Sequence, residues 1–126
     1  MGTLYTCSLS KMKDFENIHT KLFIVLKPGA VKAKGLKHRP ALAPSKELFD
    51  WAQAHKHEEN WFLEYEKWFK KDIKERPGLR DAICHLEEQV KKEDILLVCF
   101  CPSAEKCHRR LIAEELASRG IPVQIQ

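Results

Sequence analysis

The chain has 126 residues, of which 44% are apolar and 32% charged, and its formal net charge is +4. That length holds one core rather than two, so residues 1–126 are read as a single domain, and the composition excludes a disordered chain. The longest uncharged apolar run, 95–101, falls far short of the roughly 20 residues that cross a bilayer, and the first residues show no export-type leader, so a cytoplasmic protein without membrane contact is expected.

In chain order, residues 4–7 predict a short strand. Ser10 can cap a helix to about Ile18, with Met12, Phe15 and Ile18 on one side. Residues 21–26 are nearly all apolar and predict a strand covered on both faces, as in a parallel sheet, ended by Pro28-Gly29. Residues 30–44 are basic, are punctuated by Gly and Pro, and read as one long loop. Ser45 can cap a helix carrying Leu48, Trp51, Ala52 and His55 at helical spacing. Asn60 starts another, with Trp61, Tyr65 and Trp68 on one stripe and Phe62, Phe69 and Ile73 on its neighbour, a spacing that favours core packing over base stacking. After Pro77-Gly78, Leu79, Ile83, Leu86 and Val90 mark a third helix, within which Cys84 and His85 read as structural. Residues 95–100 are the strongest strand signal and predict the centre of the sheet. A helix of about four turns is expected over 104–118, capped by Ser103 and closed by Gly120, and a final strand follows, placed at an edge by Pro122.

Strands separated by helices predict an α/β fold, a small three-layer, Rossmann-like domain with a mostly parallel sheet of about four strands. Ligands of such folds bind beyond the C-terminal ends of the strands. The charge distribution bears on this. Residues 21–46 hold Lys21, Lys27, Lys32, Lys34, Lys37, Arg39 and Lys46 and no acid, a local +7 set against −3 for the remainder. Lys27 to Arg39 could therefore embrace a phosphate-bearing ligand or a nucleic-acid backbone, or form a plain solvated loop.

The five cysteines are Cys7, Cys84, Cys99, Cys101 and Cys107, with three of them inside nine residues. Their odd number and the missing leader favour reduced thiols over a disulfide framework. Cys84 and Cys99 read as packing residues, and Cys101 and Cys107 as members of a site. A buried strand runs through Cys101 and Ser103 into a helix start at Cys107, His108, Arg109 and Arg110, where free N–H groups and the helix dipole suit an anion. Cys107, near His108 and Arg109, is expected to shift toward thiolate and is a candidate nucleophile; the alternative is a small buried residue packed on Leu111. His108 is a candidate acid–base group or a strut that fixes the loop. Arg109 is the candidate anion clamp. Cys99, Cys101, Cys107 and His108 could hold zinc, but their spacing is no standard knuckle, so no metal ligands are assigned. A phosphatase-type loop sets an Arg six residues after its Cys; here that place is Cys107, and the first Arg after Cys101 is Arg109. No phosphate-binding or dinucleotide glycine motif is present.

Residues 96–99 followed by Cys107-His108-Arg109 resemble the signature of the family called domain of unknown function 488. The opening strand 4–6, the element 42–44, the aromatic helix with Tyr65, and the last helix ending in Gly before a short strand fit as well. The resemblance covers nearly the whole chain and implies a small α/β domain. The family often has an acid two residues after the first cysteine, where this chain has Cys101, and an Asp and Arg after the second strand, where it has Leu26 and Lys27.

The expected site comprises Cys101, Cys107, His108 and Arg109, with Lys27, Lys32, Lys34, Lys37, Arg39 and Ser103 as ligand contacts. Three functions are expected in turn. The first is binding, with or without turnover, of a phosphate-bearing small molecule such as a nucleotide, or of a nucleic-acid end. The second is a non-enzymatic nucleic-acid-binding module using loop 27–39. The third is a zinc- or thiol-based redox protein.

Overall fold

A computed structural model describes residues 2–31 and 35–126. Five strands, β1 (Leu4–Ser8), β2 (Thr20–Phe23), β3 (Leu36–His38), β4 (Ile95–Cys99) and β5 (Val123–Gln124), form one all-parallel sheet in the order β3-β2-β4-β1-β5. The four helices are α1 (Lys46–His55), α2 (Trp61–Glu75), α3 (Pro77–Val90) and α4 (His108–Ser118). No helix among the described residues is long and apolar enough to cross a membrane. The α/β class and the parallel sheet agree with the sequence reading; the strand count is five rather than four.

β4 is central, and every one of its residues is buried, as its unbroken apolar run requires. It pairs with β1 from Leu4↔Ile95 and with β2 from Thr20↔Ile95. The Ile24 N–H extends the second pairing by donating to the Val98 carbonyl at 3.0 Å. The crossover leaving β1 runs one way along the sheet, while those arriving at β4 and leaving it run the other. Right-handed connections therefore put residues 9–15 on one face and α1–α4 on the opposite face. α4 packs on β1, β4 and β5, and α2 joins it to α1 and α3. β2 exits toward β3 and β4 exits toward β5, so the crevice between β2 and β4 is the switch point where doubly wound sheets bind ligands.

Three expectations change. The helix foreseen from Ser10 is a 3₁₀ segment, Leu9–Phe15. Leu9, Met12 and Phe15 recur every three residues, which suits three residues per turn, and Ser8 and Ser10 pair their hydroxyls at 3.0 Å instead of capping. The long basic loop contains the edge strand β3 and a 3₁₀ turn, Pro40–Leu42. β3 went unforeseen because only Leu36 of its three residues is apolar. Finally, the helix expected from residue 104 is broken. Ser103 caps a 3₁₀ turn, Ala104–Lys106, and Cys107 returns to extended backbone (φ −143°, ψ 143°) before α4 begins. The other predicted caps and stripes hold: the Ser45 hydroxyl accepts from the Leu48 N–H at 3.1 Å, and Leu79, Ile83, Leu86 and Val90 are fully buried. Cys84 and His85 do not: both lie exposed on the outer side of α3.

Candidate functional site

The crevice beyond β2 and β4 opens into a cavity of about 590 Å³. One wall is Val25, Leu26 and Lys27, leaving β2; another is residues 100–103, leaving β4. α1 and α2 close it with aromatic and aliphatic groups, among them Phe49, Trp61 and Tyr65. Tyr65 lies in a column of rings, stacked on Phe62 with centroids at 5.2 Å and on Phe69 at 6.2 Å. Lys27, Lys56 and Lys106 line the cavity, and no carboxylate does so among the described residues.

The floor is sulfur. Cys99 ends the central strand and Cys101 lies two residues on, on the same side of the extended chain. The backbone break at Cys107 brings the third thiol back to them. The three Sγ atoms all lie within 4.8 Å of one another, and Cys99 donates to Cys101 at 3.9 Å. Cys99 and Cys107 are buried, whereas Cys101 is half-exposed. All three border the cavity. The neighbouring Cys107 and Cys99 thiols, aided by the nearby Arg109 charge, hold the Cys101 thiol well below its usual range. Cys107 moves the opposite way, raised by its two thiol neighbours and by burial. Within the trio the negative charge is thus favoured at the half-exposed Cys101 rather than at the buried Cys107, where the sequence placed it.

His108 is buried behind Cys107. Its Nε2 donates to the Ile24 carbonyl at 2.6 Å, and its Nδ1 stands 3.9 Å from the Cys107 sulfur. A carbonyl only accepts, so the proton is on Nε2, and burial lowers the pKa and keeps the ring neutral. His108 therefore ties the start of α4 to the end of β2. Burial also pushes the Tyr65 phenol above its ordinary range, and the three cysteines add to that, so it stays a hydroxyl.

Arg109 is not the expected anion clamp. It is fully buried and does not line the cavity. Its Nη1 donates to the Cys101 carbonyl at 2.6 Å and to the Cys107 sulfur at 3.5 Å, and its Nε donates to the Gln126 backbone oxygen at 3.1 Å. It braces the cysteine loop from behind.

Residues 4–120 match the family described as the active DUF488-N3 subclade. The chain belongs to that family. Comparison with curated proteins and with solved structures finds no match.

Of the residues expected at this DUF488-N3 site, Cys101, Cys107, His108, Lys27 and Ser103 line the cavity. Lys37 is exposed on the edge strand β3, Arg39 follows it half-buried, and neither borders the cavity. Lys32 and Lys34 lie outside the described residues. Sequence reasoning missed Lys56 and Lys106, which carry no distinguishing signal. Cys99 and Tyr65 are buried in the core as expected, with Trp61 packed against it, and all three also border the cavity, a second role that their spacing does not reveal.

Proposed function

We propose that the cavity binds a nucleotide, free or at a nucleic-acid end, with its base between the aromatic walls, its phosphate on the lysines, and the cysteine floor as the reacting end. The observation that carries this reading is the pairing of apolar, ring-lined walls with Lys27, Lys56 and Lys106 and no lining acid. Flat rings suit the faces of a base, and ammonium groups suit a phosphate. The word "active" in the family's description fits turnover at that floor. Thiols at this density suit a reducing compartment, so the reading includes a cytoplasmic location.

Calorimetry with nucleoside monophosphates, the matching nucleosides and inorganic phosphate tests it. The monophosphate is expected to bind at least about tenfold more tightly than the nucleoside. Lys27→Ala and Lys106→Ala are each expected to weaken it about fivefold, the range of an exposed charge contact, without changing nucleoside affinity. Equal affinity for nucleotide and nucleoside, or binding of neither, refutes the reading. A 5′-phosphorylated oligonucleotide separates a nucleic-acid end from a free nucleotide. Because Lys37 stands exposed on the sheet edge, oligonucleotide binding that survives the cavity substitutions and is lost in Lys37→Ala marks the edge as a separate nucleic-acid module.

A further inference from the structure

The three thiols at the cavity floor have the disposition of a metal-ligand set. A tetrahedral ion with metal–sulfur bonds of about 2.3 Å holds its sulfurs about 3.8 Å apart. Cys99 and Cys101 already stand 3.9 Å apart, and the Cys107 sulfur is within 4.8 Å of both. Cys99 ends the central strand, Cys101 lies two residues beyond it, and Cys107 immediately precedes α4, so rigid elements flank the chelating loop at both ends.

A second observation is independent of the sulfurs. Arg109 is fully buried, yet among the described residues no side-chain carboxylate pairs with it and its Nη2 has no hydrogen-bond partner. Its neighbouring Nη1 lies 3.5 Å from the Cys107 sulfur. A buried guanidinium is costly without an opposing negative charge. Three thiolates around a divalent ion carry one net negative charge, and they would stand against this group.

We propose that Cys99, Cys101 and Cys107 bind one zinc ion as thiolates, with the fourth coordination position facing the cavity. Any ligand that enters as a thiol releases its proton to solvent as the sulfur–metal bond forms. Three soft sulfurs select a thiophilic ion over magnesium or calcium. Three protein ligands with one open position is the arrangement of reactive zinc centres; structural ones close all four. His108 stays outside the set: its Nε2 is engaged by Ile24, and its Nδ1, though 3.9 Å from the Cys107 sulfur, is not within 4.8 Å of all three sulfurs.

This inference stands apart from the nucleotide reading, since it is tested without nucleotide. The full chain, reduced and stripped of metal, is titrated anaerobically with Co²⁺. The expected result is saturation at one ion per chain, with an intense thiolate-to-cobalt charge-transfer band, tetrahedral visible bands, and displacement by one equivalent of Zn²⁺. Cys99→Ser, Cys101→Ser and Cys107→Ser, each checked for fold by circular dichroism, are expected to weaken binding at least about tenfold. Cys84→Ser, on the outside of α3, keeps the spectrum. No charge-transfer band in the wild-type chain, or a band that outlasts the three substitutions or vanishes with Cys84→Ser, overturns the proposal. Alkylation of the wild-type chain avoids any folding defect of a variant: Zn²⁺ should slow modification of Cys101 and leave that of Cys84 unchanged. Equal rates at Cys101 with and without Zn²⁺ also overturn it.

Discussion

Arg109→Leu isolates the brace behind the cysteine loop. Leucine removes the charged donor to the Cys101 carbonyl at 2.6 Å and the one to the Gln126 oxygen at 3.1 Å. Each such bond from a charged group contributes about 1.5–3 kcal/mol, and the partly buried Cys101 carbonyl left alone adds some desolvation cost. Leucine recovers part of this by burying an apolar group where a charge sat. The net loss is about 3 kcal/mol. At about 2.1 cal/mol/K of unfolding entropy per residue, that lowers the Tm by about 11 °C. Arg109→Lys keeps the charge without the fork, and should lose roughly half as much. Urea denaturation followed by circular dichroism, with scanning calorimetry, measures both. If Arg109→Leu stays within about 1 kcal/mol of wild type, or Arg109→Lys is the worse of the two, the bracing argument is wrong.

Three further outcomes are expected. A Cβ on Gly2 would overlap the Glu93 carbonyl and dislodge the Gly2 N–H from the Val90 oxygen at 2.9 Å, so Gly2→Ala should cost about 2–4 kcal/mol in the same denaturation assay. Ser45→Ala removes the α1 cap and should cost about 1 kcal/mol, with Ser45→Asp restoring most of it. Burial, aided by Asp14 and opposed by Arg109, pushes the Cys7 thiol up to about 11. The folded state therefore keeps this proton longer than the unfolded chain, and the stability it contributes is present at neutral pH and is lost as pH rises from about 9 toward 11. Cys7→Ala should lessen that alkaline loss in denaturation midpoints measured across the range; an unchanged slope speaks against it.

The parallel sheet was legible because buried parallel strands write themselves as unbroken apolar runs, as residues 95–99 do. α3 was legible because its four inward positions keep helical spacing without interruption. β3 was hidden by its brevity and by Lys37 and His38. The 3₁₀ segment over 9–15 was hidden because a recurrence every three residues also fits an α-helix. At the candidate site, the strand–loop–helix location and five of the residues that line the cavity were foreseen from the sequence. The grouping of three sulfurs did not, since it depends on a backbone break at Cys107 that no local residue announces. The role of Arg109 was equally invisible: charge and position predict an outward-facing clamp, and only the fold reveals that carbonyls of two distant segments occupy its donors.

The place of β4 between β2 and β1 also bears on the order of assembly. Leu4 finds its neighbours in Ile95 and Val123, so β1 has no sheet partner until β4 and β5 have been made. Pairings so distant in sequence demand large loop-closure entropy before any contact offsets it, which slows folding. The local hairpin-like packing of α2 on α3 can form early, leaving β1 and the apolar β2 exposed meanwhile. Nascent chains that stop short of β4 should thus be the aggregation-prone species, because the strand that gathers the sheet has yet to emerge.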